Sequence, residues 1–142
     1  MAVGQNFIAD KASPHVMFMP GLFNETMQLL HDSYEYFSMF GDDDRSRIEA
    51  NLKTLYSCEM SRITLRLSAI MAWLMAQRAV FAGQIEASEA ARRHGLDFHD
   101  ICLVDNRVLH GVLPSYVCFL LDRSLELYER VYRLDNQFKN VH

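Results

Sequence analysis

The sequence predicts an all-α protein, an antiparallel three-helix bundle with a long middle helix, and three observations predict it. Only 3 prolines and 6 glycines interrupt 142 residues. Half of the residues are hydrophobic, with 8 methionines among them, and Leu, Met and Ala are good helix formers. The apolar residues recur at intervals of three and four, the period of an amphipathic helix. A chain of this length suits one domain with a single core.

Residues 1–17 carry no period and end near Ser13-Pro14-His15, which reads as a flexible lead-in to a domain spanning 18–138. Pro20 fits the first turn of a helix, where its missing N–H costs nothing. From there Phe23, Met27, Leu30, Tyr34 and Phe37 form one stripe, widened by Leu22, Leu29 and Phe40. Gly41 is expected to stop this first helix, over 20–40, in the left-handed conformation that glycine tolerates. Asp42-Asp43-Asp44 then reads as the start of the next helix, where carboxylates cap free N–H groups. The alternating ligands, glycine and later glutamate of an EF-hand are absent.

The middle helix is expected over 45–82, a stretch with neither glycine nor proline. Leu52, Tyr56, Met60, Ile63, Leu67, Ile70, Leu74 and Phe81 keep the helical spacing, so about 38 residues would make a rod of roughly 57 Å. Such a rod is stable only when packed along most of its length. Trp73, amid Ile70 and Leu74, is expected in the core. Gly83 ends the helix, a short turn fits Ser88 to His94, and Gly95 closes it. Residues 95–112 show no period and read as a loop with one turn. Leu113-Pro114-Ser115 opens the last helix, over 114–137, with Val117, Leu120, Leu121, Leu127, Tyr128, Val131 and Leu134 as its buried stripe. Residues 139–142 read as a tail.

The formal charge is −4 and the pI about 5.8, which argues against nucleic acid as a partner. Cys58, Cys102 and Cys118 lack CxxC spacing and read as reduced thiols. No apolar run approaches the ~20 residues that cross a bilayer, and residues 1–13 lack the order of a secretory signal. The protein is therefore expected in the cytoplasm, without membrane insertion.

Chemistry is sparse. His94, Asp97, His99, Asp100 and Cys102 are metal-ligand types, but a structural zinc site declares itself as two close ligand pairs, and these do not. His31 and His110 lack a nucleophile at a strained turn, because Ser57, Ser61 and Ser68 all lie within the long helix. There is no GxSxG, P-loop, GxGxxG or HExxH. No catalytic, cofactor-binding or metal residues are expected, and no cofactor. The charges within apolar surroundings are more informative. Glu59, Arg62 and Arg66 share a helix face, with Arg78 further along, and Arg123, Arg130 and Arg133 edge the last helix beside Glu126 and Glu129. They read either as a solvated face or as a place where partners bind.

These blocks carry a resemblance. Glu59-Met60-Ser61-Arg62-Ile63-Thr64-Leu65-Arg66, followed by Trp73-Leu74-Met75-Ala76-Gln77-Arg78-Ala79-Val80 and Gly83, resembles the core signature of the RcdA family, the regulators of CtrA degradation. Leu113-Pro114, Arg123-Ser124-Leu125-Glu126-Leu127 and Arg130-Val131-Tyr132-Arg133-Leu134-Asp135 resemble its closing segment, and Leu22 to Met27 is a weaker match. The resemblance implies a dimerising three-helix bundle without enzymatic activity. It further implies an adaptor that, with a CpdR-like response regulator, helps deliver substrates such as CtrA to the ClpXP protease, often at a cell pole. Arg62, Arg66, Arg123, Arg130 and Arg133 are the expected protein-interaction residues. A helical dimeric scaffold and a small-ligand or metal-binding regulator are the alternatives. A homodimer is also expected on packing grounds: the middle helix would outreach the first and leave leucine-sized side chains uncovered, at roughly 1.5–3 kcal/mol each.

Overall fold

The computed structural model describes residues 14–105, 109 and 111–141, with side chains from Pro20 onward. Most of the expected flexible lead-in, His110 and the last residue of the expected tail lie outside the described residues. Those described are helical or irregular, with no strand among them. The long helices are α1 (Pro14–Tyr36), α3 (Lys53–Phe81) and α6 (Ser115–Val141). Three short ones, α2 (Asp42–Arg47), α4 (Ala87–Arg93) and α5 (His99–Cys102), complete the bundle.

The first helix departs from expectation at both ends. It begins at Pro14, inside the segment read as flexible, so Pro20 lies in its interior. It does not stop at Gly41. Phe37–Gly41 forms a π turn, and Gly41 keeps a right-handed φ of −59° and leads directly into α2. The acidic run therefore continues a helix rather than capping a new one. The break falls at Ile48 and Glu49, which are extended (φ −85°, ψ 161° and φ −62°, ψ 149°), ahead of a 3₁₀ turn at Ala50–Leu52. The single 45–82 rod is thus divided, and α3 has 29 residues, about 43 Å.

A corner of hydroxyls fixes the reversal. The Tyr36 hydroxyl donates to Asp44 Oδ2 at 2.6 Å and lies 3.0 Å from the Tyr56 hydroxyl. Tyr56 is also within 3.2 Å of the Gly41 carbonyl. These contacts tie the end of α1, the start of α2 and the first turns of α3 into one knot. Nothing in a hydrophobic period announces it, because it is made of polar ends on apolar rings.

The buried face of α1 is turned about one residue from the expected stripe. Leu22, Thr26, Leu29, Ser33 and Tyr36 are buried, whereas Met27 and Tyr34 are exposed. Thr26 fits inside because its hydroxyl donates back to the Leu22 carbonyl at 2.7 Å. In α3 the core residues are Tyr56, Ile63, Leu67, Ile70, Trp73 and Leu74, with Glu59, Arg66 and Gln77 buried among them, while Phe81 lies outside. The α6 stripe is as expected, from Val117 to Val131, with Leu134 half-buried. Gly83 ends α3 with a positive φ of 77°.

The all-helical bundle stands as expected, but one direction differs. Helices α1 and α3 run antiparallel, since Tyr36 meets Tyr56 and Arg78 lies over the Phe23 ring. Helices α3 and α6 run parallel, since Arg66 meets Leu121 and Ser124 while Trp73, further along, meets Asp135. The connection after α3 must therefore travel back the length of the bundle, and it does. Leu96 meets Asp135, Asp97 meets Tyr128, Cys102 meets Arg66, and Leu109 meets Cys118. The segment read as a loop supplies Leu96 and Cys102, 3 % and 0 % exposed, to the core. It is structural.

Candidate interaction surface

The charged residues of the sequence signature divide into an inner and an outer set. Arg66 is 1 % exposed. Its Nε donates to the Cys102 carbonyl at 2.8 Å, Nη1 to the Leu121 carbonyl at 3.0 Å and Ser124 Oγ at 3.1 Å, and Nη2 to the Val104 carbonyl at 2.7 Å. Burial, helped by the neighbouring Arg62 charge, pushes its pKa down to about 10, so it stays charged at neutral pH. A rigid fork of donors suits this cage of carbonyls, which a single ammonium could not span. Arg66 therefore serves the interior and presents nothing to a partner.

One turn earlier, Arg62 Nε binds buried Glu59 at 2.9 Å, and its Nη1 donates to the Ile101 carbonyl. Arg62 is mostly covered, so its side chain too is committed to the returning segment. A second lock lies near the far end. Trp73 is 1 % exposed, as expected, and its Nε1 donates to Asp135 Oδ1 at 2.9 Å. Asp135 Oδ2 accepts from the Leu96 N–H at 3.2 Å and from Lys139 Nζ at 3.1 Å. The Trp73 ring stacks on Phe138 at 5.6 Å.

The outer set lies on α6 facing α1. Arg130 Nη1 donates to both carboxylate oxygens of Glu25 at 3.0 Å, and Arg123 approaches the same carboxylate at 3.7 Å. The Arg123 guanidinium also lies 5.8 Å from the centre of the Phe119 ring. Arg133 is exposed. The structure thus brings Arg62 and Arg66 together at the returning segment, and Arg123 and Arg130 together at Glu25, without joining the two groups.

Periodicity missed the aromatic strip at the α1–α6 seam. Phe40, Tyr36, Tyr116 and Phe119 follow one another with ring centres 6.5, 5.3 and 5.6 Å apart. Phe40, Tyr116 and Phe119 are exposed, as is Met39. The π turn produces this, because its extra residue re-aims Met39 and Phe40 away from the core; such turns recur at functional sites. The available signal was the density of aromatic residues at the end of α1 beside those opening α6. Burial raises the pKa of the Tyr36 and Tyr116 phenols, and nearby Asp44, Asp32 and Glu35 raise them further.

The metal-ligand types of the returning segment do not converge. His99 packs edge-on against Tyr132 at 4.8 Å, Asp97 Oδ1 accepts from the Phe98 N–H at 2.8 Å, and Cys102 is buried. Among the described residues no three His, Cys, Asp or Glu side chains gather. Nor is any helix among them long and apolar enough to cross a membrane.

Fold and surface together define a single helical bundle in which Glu59, Arg62 and Arg66 turn inward and the exposed features are seams and faces. The family model described as a protein of unknown function (DUF1465) matches residues 11–142. The crystal structure of RcdA from Caulobacter crescentus CB15 is similar, with a TM-score of 0.68 and 30% identity, covering 85% of this chain and 90% of that one. Comparison with curated proteins gave no match. The chain belongs to the RcdA-like DUF1465 family.

Proposed function

We propose that this protein is a non-enzymatic adaptor in regulated proteolysis, helping deliver substrates such as CtrA to the ClpXP protease together with a CpdR-like response regulator, in the cytoplasm and at a cell pole. The observation that carries the reading is the likeness to RcdA across nearly the whole bundle. It is supported by the location of the signature. Glu59, Arg62 and Arg66, which could have formed a reactive cluster, are spent on internal hydrogen bonds. What remains outside is aromatic and charged surface, the composition of protein-binding hot spots.

Within that reading, the recruiting role belongs to the outer arginines, Arg123, Arg130 and Arg133, while Arg62 and Arg66 hold the returning segment in place. We also propose that the chain works as a homodimer. Helix α1 runs beside α3 from Arg78, over Phe23, to Tyr56, at Tyr36, so an uncovered end of the middle helix is not the reason. The exposed Met75, Phe98, Ile101 and Val104 offer apolar surface instead.

A reconstituted degradation assay tests the function. ClpXP, a CpdR-like partner and fluorescently labelled CtrA are combined with and without this protein. Acceleration that saturates with its concentration is expected. An unchanged rate for CtrA and for other candidate substrates contradicts the adaptor reading and leaves a dimeric scaffold. Sedimentation at micromolar concentration decides the homodimer, which a purely monomeric boundary would exclude.

A further inference from the structure

The aromatic strip borders a cavity of about 360 Å³ lined by Asp32, Glu35, Tyr36, Met39, Phe40, Asp44 and Tyr116. Three of these residues carry aromatic rings and three carry carboxylates. Among the described residues the carboxylates are engaged by weak or neutral donors: Asp32 accepts from Gln28 at 2.9 Å, Asp44 from Tyr36 at 2.6 Å, and Glu35 lies 3.4 Å from His31. None pairs with an arginine or lysine among the described residues. Glu25, two turns back on the same face of α1, is met by two arginines. The seam is therefore neutralised at one end and left negative at the other.

We propose that this cavity takes an arginine side chain from a basic, extended segment of a partner protein. A guanidinium stacks on an aromatic face while donating to carboxylates at its edge, and both features converge here. The same strip already holds one such group, Arg123 over Phe119 at 5.8 Å with Glu25 at its edge. The cavity repeats that pairing of ring and carboxylate, with no arginine or lysine in its lining among the described residues. Met39, Phe40 and Tyr116, which line it and are exposed, give the neighbouring residues of the segment an apolar ledge.

The proposal does not depend on delivery to a protease, and its test contains none. A fluorescein-labelled Gly-Ser-Arg-Ser-Arg-Ser-Gly peptide is titrated with the purified full chain at low salt. The same peptide with citrulline in place of arginine is the control. Arginine-dependent binding is expected, with backbone amide shifts in NMR spectra centred on Tyr36, Met39, Phe40 and Tyr116. Tyr116→Leu is expected to weaken it about two- to fivefold, the range of an exposed cation–π contact, and the Asp32→Asn, Glu35→Gln pair by a similar factor. Far-ultraviolet circular dichroism of each variant confirms that the helices are intact. Equal binding of the citrulline peptide, no binding, or amide shifts centred elsewhere would overturn the proposal.

Discussion

Arg66 is the residue on which the interior turns. It satisfies carbonyls of Cys102, Val104 and Leu121 as well as the Ser124 hydroxyl. Removing it leaves several buried acceptors unpaired at about 1–3 kcal/mol each. Arg66→Met is therefore expected to lower stability by about 3–5 kcal/mol in urea denaturation; a loss below about 1 kcal/mol would show that water replaces the guanidinium freely. Trp73→Ala is expected to cost a similar amount, because it opens a cavity and removes the donor to Asp135 Oδ1. The tyrosines give a pH dependence. Burial raises the pKa of Tyr36, Tyr56 and Tyr128, so the folded state holds these phenols neutral. Their contribution is fully present below the ordinary tyrosine pKa near 10 and is lost as pH rises above it, when the unfolded chain ionises. Buried Cys102 and Cys118 act in the same sense, and Arg66, with its lowered pKa, in the opposite one. The urea midpoint is expected to fall between pH 8 and pH 10.5, and a midpoint that rises would contradict this assignment.

At the scale of elements, two glycines are expected to respond oppositely. Gly83 has a positive φ of 77°, so Gly83→Ala forces an L residue into a disfavoured conformation and costs about 1 kcal/mol. Gly41 is helical, and an added Cβ would meet nothing closer than 3.8 Å. Gly41→Ala is expected to stabilise by about 0.4–1 kcal/mol through the unfolded chain. Thermal melting of the two variants checks the pair; destabilisation by Gly41→Ala would restore a left-handed stop there. This contrast marks how far the sequence was legible. Helical period and a glycine after Phe81 located α3 and its end, and the apolar stripe of α6 was plain. Gly41 misled because the continuation of α1 depends on Tyr36, Tyr56 and Asp44 meeting in space, which no local pattern records. The face of α1 was misread by about one position, since Thr26 and Ser33 are polar in sequence yet buried in the bundle.

The whole molecule is organised by the segment that returns from the end of α3 to the start of α6. The parallel course of these two helices was not legible in a connection without a period, because Arg66 and Asp135 hold it with side chains rather than with a hydrophobic repeat. Of the five arginines expected to bind partners, two therefore build the fold, and three remain outside. The most direct measurement of that division compares thermal stability with ClpXP degradation of labelled CtrA across two variants. The exposed Glu25 contacts of Arg123 and Arg130 contribute about 0–1 kcal/mol each, so the double variant Arg123→Glu, Arg130→Glu is expected to melt within a few degrees of the parent while delivering little substrate. Arg66→Met is expected to melt far lower, with delivery falling only as the folded fraction falls. Full delivery by the double variant, or an unchanged melting temperature for Arg66→Met, would contradict the division.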